Sequence, residues 1–254
     1  MESTRLEHRA SFTVHTFEVD AFGALEVPAL SGFLGEIAGR HAQELGVGME
    51  AMFSRGITWV LGRQRIEVPA EVRLGDVLEV VTWPAGIEKL VAMRHFRVLR
   101  GEEVVAQATS HWLVLDLATR RPRPPAEVVD PRLPRAVLPP VVPPPSKLPA
   151  LEAWDEDRRF TVRYSDIDMN LHVTNTSYVA WAVEAVPKEV WKARRLASVD
   201  VSFLAECHHG AAIRSRVKQT GEGTFAHAIV REEDGKELAR LATGWVPRVG
   251  TRVA

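Results

Sequence analysis

A proline-rich segment near the middle of the chain limits how the rest can fold. Residues 121–149, RPRPPAEVVDPRLPRAVLPPVVPPPSKLP, contain 11 of the 16 prolines. Proline has a fixed φ and no backbone N–H, so this stretch can form neither a helix nor a central strand. We therefore predict an extended linker over residues 126–150. It would separate a first domain, residues 1–125, from a second, residues 151–254.

The two predicted domains resemble each other in sequence. The matching stretches are FTV at 12–14 and 160–162, IEVPAEVRLG at 66–75 and VSFLAECHHG at 201–210, and GEEVVAQATSHW at 101–112 and GKELARLATGW at 235–245. The first match aligns Asp20 with Asp168, and the second aligns Glu71 with Glu206. Three matches in the same order favour a duplicated unit.

Each repeat has the pattern of a strand, then a helix, then several strands. Pro28 and Gly46 are typical start and stop signals for the first helix. The second is capped by Thr174 or Asn175, and Pro187 should kink or shorten it. Strand-like runs begin at Ile57, Asp76, Val91, Val104, Leu196, Ile213, Phe225 and Glu237. The sequence predicts an α+β fold in which a long helix in each repeat covers a curved antiparallel sheet.

The composition excludes several classes of protein. Lys plus Arg (32) balances Asp plus Glu (33), so nothing in the net charge of -1 indicates a nucleic-acid or membrane partner. No apolar run approaches the length of a membrane span. The only cysteine, Cys207, excludes an internal disulfide and fits a reducing compartment. The N-terminal MESTRLEHRA does not resemble a signal peptide, so we expect a cytoplasmic protein.

A candidate site lies in RYSDIDMNLHVTN, residues 163–175. In an extended chain, side chains two apart share a face, so Asp168, Asn170 and His172 are expected to converge. The residues between and after them, Met169, Leu171 and Val173, are predicted to anchor the other face in the core. The following helix would bring its N-terminal amides to the same place. These groups resemble a site for acyl transfer or hydrolysis, although an edge strand with a capped helix has the same pattern.

The first repeat lacks most of these groups. At the aligned positions it has Asp20, Phe22 and Ala24. The fold therefore does not need the amide and the imidazole there. This asymmetry is what we expect if one repeat supplies catalysis and the other lines an apolar pocket.

Residues 165–187, SDIDMNLHVTNTSYVAWAVEAVP, resemble the catalytic half of the plant and bacterial acyl-acyl-carrier-protein thioesterases. That family has W-S-D-x-D-x-N-x-H-x-x-N-x-x-Y and a later Glu-Cys, here Glu206 and Cys207. RHAQELG at 40–46 and ATSHWLVLDLATRRPRP at 108–124 are similar to its first half. The chain departs from the pattern with Tyr164 in place of Trp and Thr174 in place of the first Asn of a pair. The resemblance implies two tandem hot-dog domains, the second catalytic and the first binding much of the fatty chain.

The resemblance also implies the site residues, which are Asp168, Asn170, His172 and Glu206. Either Asp168 or Glu206 would orient or deprotonate a water with His172, and Asn170 with helix amides would hold the carbonyl oxygen. Which carboxylate is the base stays open. No cofactor is expected, and the partner is acyl carrier protein bearing a fatty acyl chain.

Two other chemistries are weaker alternatives. Cys207 with His172 and Asn170 could form a nucleophilic triad, but a lone cysteine is more often an inert core residue. If Glu206 points into the site from a regular strand, Cys207 points away. His208 and His209 could suggest a metal, yet adjacent residues seldom converge on one ion, so no metal is expected.

Other functions share the same pattern. An acyl-CoA thioesterase would use the same site and differ only in docking, and a basic cluster could dock a carrier protein or simply face solvent. That cluster is Lys188, Lys192, Arg194 and Arg195. A non-catalytic acyl-binding protein and a dehydratase are further alternatives. The sequence leaves open the acyl chain length and the oligomeric state, beyond an internal pseudo-dimer of two hot-dog units.

Overall fold

The computed structural model describes residues 7–129 and 142–248. The chain forms two compact units, the first made of Met1–Leu25 and Leu30–Pro145 and the second of Glu26–Ala29 and Ser146–Ala254. The predicted domain limits of 1–125 and 151–254 remain a prediction. Residues 130–141 of the predicted linker lie outside the described residues.

The first unit contains an antiparallel sheet and one long helix. Its strands are β1 (His8–Thr13), β2 (Ile57–Glu67), β3 (Val77–Glu88), β4 (Val91–Arg100), β5 (Glu103–Asp116) and the short β6 (Pro122–Arg123), and its helices are α1 (Val27–Glu44) and α2 (Met49–Phe53). The strands lie in the order β1-β3-β4-β5-β2, and β6 pairs with β5. As predicted, α1 has Pro28 in its first turn and ends just before Gly46, whose φ is 70°.

The second unit has the same strand order. Its elements are β7 (Glu156–Thr161), α3 (Asn175–Glu184), α4 (Lys188–Ala193), β8 (Arg194–Phe203), β9 (Ala212–Gly221), β10 (Thr224–Arg231) and β11 (Glu237–Pro247). The strands lie in the order β7-β9-β10-β11-β8, again antiparallel. Pro187 separates α3 from α4, so the prediction that it shortens the helix is confirmed.

In each unit an aromatic pair joins the first strand to the helix. The rings of Phe12 and Phe33 lie 4.7 Å apart in the first unit, and those of Phe160 and Trp181 lie 6.5 Å apart in the second. Both pairs are stacked with an interplanar angle of 21°. These residues are aligned in the repeat, so the packing of helix on sheet is duplicated together with the sequence.

The helix-facing side of the first sheet is not wholly apolar. Arg94 on β4 donates to the hydroxyl of Thr82 at 3.1 Å, and its Nη1 lies 3.0 Å from Nδ1 of His41 on α1. Burial lowers the pKa of Arg94 to about 10, so the guanidinium is still charged at neutral pH. The apolar pocket expected in this unit would therefore have a cation beside it.

His227 on β10 makes stability sensitive to acid. Its Nε2 lies 2.8 Å from the hydroxyl of Thr243, and burial lowers its pKa to about 3 from the ordinary 6.5. The unfolded chain therefore binds a proton below about pH 6.5 while the native state does not. The contribution of neutral, buried His227 to the free energy of unfolding is fully present above about pH 6.5 and is lost as the pH falls towards 3. Between pH 7 and 5.5 we expect a loss of about 1 kcal/mol in the free energy of unfolding.

Denaturant unfolding of the wild type and a His227→Gln variant at several pH values checks this expectation. Glutamine can still bond to Thr243 but does not titrate, so the variant should lose less stability on acidification. Both proteins share every other titrating group, so only the difference between their pH profiles is interpreted. Parallel profiles would contradict the assignment.

Candidate functional site

Residues 167–173 form a tight turn. Ile167 and Val173 pair as an isolated antiparallel bridge, and between them the amide of Asp168 donates to the carbonyl of His172 at 2.8 Å. The Asp168 carboxylate accepts bonds from the amides of Asn170 and His172, at 2.8 and 3.3 Å. The prediction of an extended strand here is wrong, because these local side-chain bonds offer the backbone an alternative to a sheet ladder.

The turn also changes the environment of the apolar residues within it. Met169 and Leu171 are 78% and 75% exposed. The prediction that they anchor the core is therefore wrong. Only Val173 is buried. Leu171 has a φ of 62°, a conformation that directs its side chain differently from a strand residue.

The first unit contains the same turn. Val19 and Leu25 form its bridge, and the amide of Asp20 donates to the carbonyl of Ala24 at 2.8 Å. The Asp20 carboxylate accepts bonds from the amides of Phe22 and Ala24 at 2.8 and 3.1 Å. Asp168 therefore has a structural role that both copies share. The second copy differs in carrying two functional side chains on that turn, the side-chain amide of Asn170 and the imidazole of His172.

Glu206 brings a second carboxylate to the turn. Strand β8 ends at Phe203, so Glu206 lies in the connection to β9. The sequence analysis had considered a position on a regular strand for this residue. Its Oε2 lies 3.6 Å from Nε2 of His172, and both side chains are partly exposed. That distance suits an ion pair but exceeds a hydrogen bond. The ring of His208 lies 5.1 Å from the ring of His172.

The aligned carboxylate of the first unit has a different partner. Glu71 forms an ion pair with Arg73, the residue aligned with His208. Ala24 occupies the position of His172 and has no titrating group. A guanidinium stays protonated at any physiological pH, so it neutralises Glu71 but cannot exchange protons with it. Only the second unit joins a carboxylate to an imidazole at this place.

Asp166, a residue that the sequence analysis did not single out, ties the turn to the start of α3. Its buried carboxylate accepts bonds from the backbone amide and the Nη2 of Arg163, at 2.7 and 2.9 Å. The amide of Thr174 donates to its carbonyl at 2.8 Å. Burial alone would raise the pKa of Asp166, but the bonds from Arg163 outweigh it and lower the pKa. Asp166 therefore stays ionised and holds Asn170 and His172 near the helix terminus.

Tyr178 on α3 is another residue whose position was missed. Its ring packs edge-on against Trp181 and Phe203. Burial, and after it the charges of Cys207 and Glu206, raises the pKa of Tyr178, so its phenol stays protonated. Among residues 7–129 and 142–248 no group bonds to its hydroxyl. Leu30 occupies the aligned position in the first copy, and that difference was a signal in the sequence.

Cys207 is fully buried, and its carbonyl accepts a bond from the amide of Val173 at 2.9 Å. Burial raises the pKa of the Cys207 thiol, which disfavours the thiolate that a nucleophile requires. Within the described ranges no three His, Cys, Asp or Glu side chains are placed to hold a metal ion. Arg194, from the basic cluster, is already paired with Glu222 at 2.5 Å.

Comparison with solved structures defines the class of fold. The acyl-ACP thioesterase of Bacteroides thetaiotaomicron matches with a TM-score of 0.87 and 24% identity, over 94% of this chain and 98% of that chain. The 12:0-ACP thioesterase of Umbellularia californica matches with a TM-score of 0.82 and 26% identity, over 96% and 98%. The predicted α+β fold with two tandem hot-dog domains is confirmed.

Sequence comparison then identifies the family. The model of the acyl-ACP thioesterase N-terminal domain matches residues 5–131, and that of the C-terminal domain matches residues 151–247. The chain belongs to the acyl-ACP thioesterase family.

Two curated relatives are plant proteins described as chloroplastic. The palmitoyl-acyl carrier protein thioesterase of Cuphea hookeriana is 28% identical over 96% of this chain, and the oleoyl-acyl carrier protein thioesterase of Coriandrum sativum is 28% identical over 83%. The chain spans 63% and 62% of their respective lengths. Within the part of this chain that the structure describes, no helix is long and apolar enough to cross a membrane. The cytoplasmic location remains a prediction.

Proposed function

We propose that the protein hydrolyses the thioester of fatty acyl-acyl carrier protein and releases a free fatty acid. The observation that carries this proposal is the contact of His172 with Glu206 beside Asn170, in the half of the chain that matches the C-terminal domain of the family. The names of the curated relatives and solved structures support the choice of an acyl thioester on a carrier protein.

Hydrolysis requires an activated water, and Glu206 is the better base of the two carboxylates. One oxygen of Asp168 is already bonded to two backbone amides of the turn, as its counterpart Asp20 is. Glu206 instead faces an imidazole that can share the proton. In the proposed reaction Glu206 takes the proton from water while His172 orients and stabilises the carboxylate, and the oxygen attacks the thioester carbonyl.

The carbonyl oxygen becomes an oxyanion during attack. The side-chain amide of Asn170 on the turn and the N-terminal amides of α3, the helix that follows it, are candidate donors, and the phenol of Tyr178 on that helix is a further one. The thiol of the carrier arm has a pKa near 8.5, so the thiolate departs without a strong acid and takes a proton afterwards. These steps use only water and protein groups.

In the same proposal the first unit binds much of the fatty acyl chain, and residues 126–150 link it to a catalytic second domain. Its turn has Phe22 and Ala24 in place of Asn170 and His172, and its carboxylate Glu71 is paired with Arg73. The first unit therefore lacks the groups that hydrolysis needs. In this proposal its function is to bind the fatty acyl chain.

Turnover of purified protein on acyl-carrier-protein and acyl-CoA thioesters tests the proposal. Fatty acyl groups of several lengths are offered on each carrier, and the released thiol is measured. We expect kcat/KM to be higher for the carrier-protein thioesters. If neither carrier-protein nor CoA thioesters release thiol, the proposed hydrolytic activity is wrong. A higher kcat/KM for CoA thioesters would instead identify acyl-CoA as the preferred substrate.

A further inference from the structure

His208 joins the two parts of the candidate site. It lies two residues after Glu206, in the connection between β8 and β9. Its Nδ1 is 3.3 Å from the carbonyl oxygen of Leu171 on the turn. A carbonyl oxygen only accepts hydrogen bonds, so Nδ1 carries the hydrogen and is the donor. This bond ties the segment that carries Glu206 to the turn that carries His172.

The first unit has a corresponding tie. Arg73 is aligned with His208, and its Nη1 donates to the carbonyl of Phe22 at 3.5 Å, the long limit for such a bond. Gly75 and Gly210 follow two residues later with φ of 85° and 81°, so the two segments have the same backbone at this place. The contact between segment and turn is therefore a duplicated feature of the fold.

The two ties differ in what they leave for the neighbouring carboxylate. Arg73 also forms an ion pair with Glu71, two residues before it. In the second unit, Oε2 of the aligned Glu206 lies 3.6 Å from Nε2 of His172. The same position in the fold thus holds a carboxylate on a guanidinium in one copy and beside an imidazole of the turn in the other.

The number of hydrogen-bond donors explains this difference. A guanidinium has five N–H donors and a permanent charge, so Arg73 can bond to a carbonyl and a carboxylate together. A neutral imidazole has one N–H, and in His208 the carbonyl of Leu171 takes it. The other ring nitrogen accepts hydrogen bonds, as an ionised carboxylate does, so it has no hydrogen for Glu206. The carboxylate of Glu206 is left to His172.

We propose that His208 is a positioning residue for hydrolysis. It holds the segment of Glu206 against the turn, as Arg73 does in the first unit, without a permanent charge that would capture the carboxylate. The inference rests on the proposed function, in which Glu206 takes the proton from water. A carboxylate paired with a guanidinium is a weaker base, because the opposite charge stabilises its ionised form. His208 therefore leaves Glu206 available as the base.

The substitution His208→Arg tests this proposal by introducing the residue of the first unit. The first unit forms the same segment with arginine at this position, so the variant should fold. We expect kcat on the carrier-protein thioester to fall by about a hundredfold, with KM changed by no more than about twofold. A kcat within about threefold of the wild type would overturn the inference.

Two other substitutions at the same position separate the tie from the charge. His208→Asn keeps a side-chain N–H near the position of Nδ1 and adds no charge, so kcat should stay within about threefold of the wild type. His208→Ala removes the bond to Leu171, so kcat should fall by about tenfold as Glu206 is displaced. If the asparagine variant loses as much activity as the alanine variant, the bond does not position the site and the inference is wrong.

The matched control is His209→Arg, which adds the same charge one residue away. His209 is exposed, and among residues 7–129 and 142–248 no hydrogen bond, ion pair or ring contact involves it. This variant should keep the kcat of the wild type. A loss as large as that of His208→Arg would assign the effect to added charge in general and would contradict a specific capture of Glu206.

A crystal structure of the His208→Arg variant separates this inference from the proposed function. It should show the introduced guanidinium in an ion pair with Glu206, as Arg73 pairs with Glu71. This result does not depend on turnover, so it supports the positioning of Glu206 by His208 even for a protein that hydrolyses no thioester, in which case only the hydrolytic proposal fails. A Glu206 carboxylate that remains beside His172 would overturn the inference, even if the wild type hydrolyses thioesters.

Discussion

Replacing Glu206 by glutamine should reduce kcat on the carrier-protein thioester by about a thousandfold. Glutamine has nearly the same shape, so it preserves packing around the turn. It cannot accept a proton from water, and it removes the ion pair with His172. Thiol release in the steady state measures kcat, and the unfolding midpoint verifies that the variant is folded.

The matched control is the adjacent residue. Cys207→Ala removes a buried thiol, so it should cost about 1 kcal/mol of stability and leave kcat within a few-fold of the wild type. A loss of turnover in Cys207→Ala as large as in Glu206→Gln would instead favour a covalent acyl-enzyme route. In that case a burst of thiol release should precede the steady state in the wild type.

Asp168→Ala should reduce both stability and turnover, whereas Asp20→Ala should reduce stability alone. Each substitution removes a carboxylate that accepts two backbone amides, so each should cost about 2 kcal/mol in the free energy of unfolding. Only the Asp168 variant also displaces Asn170 and His172, so its kcat should fall by at least about a hundredfold. Denaturant unfolding and turnover of both variants provide the comparison.

The variant Asp168→Asn distinguishes a role of Asp168 in positioning the turn from a role as the catalytic base. Asparagine keeps an oxygen that can accept the two amides, so the turn should survive. If Asp168 mainly positions the turn, this variant retains far more activity than Glu206→Gln. The reverse order would make Asp168 the base and would contradict the assignment of Glu206.

Much of the fold could be predicted from the periodicity of apolar residues and from the prolines, glycines and turn residues that end helices and strands. The strands of both sheets lie within a few residues of their predicted positions, because alternation of apolar residues and turn signals determines where strands begin and end. Proline and glycine located the ends of α1 and the break after α3. The short helix α2 was not predicted, since five residues are too few to show a helical period.

The site was harder to predict because the same alternation occurs in a turn. Residues 166–173 alternate like a strand, but the carboxylate of Asp168 bonds to its own backbone and closes the chain. The aligned Gly23 was a signal of this, since glycine in one copy suggests that Leu171 in the other also has a positive φ. The partners of Glu206 and Tyr178 depend on long-range packing, which local periodicity does not contain.

The left-handed conformation of Leu171 places a cost in stability within the turn that holds the candidate site. Such a conformation costs about 1 kcal/mol for a residue with a β-carbon, which is a noticeable share of the marginal stability of a protein. Selection for stability alone would favour glycine there, as in the first copy. A programme that engineers the protein for heat resistance would therefore choose Leu171→Gly early, and turnover of that variant would show whether the strained turn matters for the candidate site.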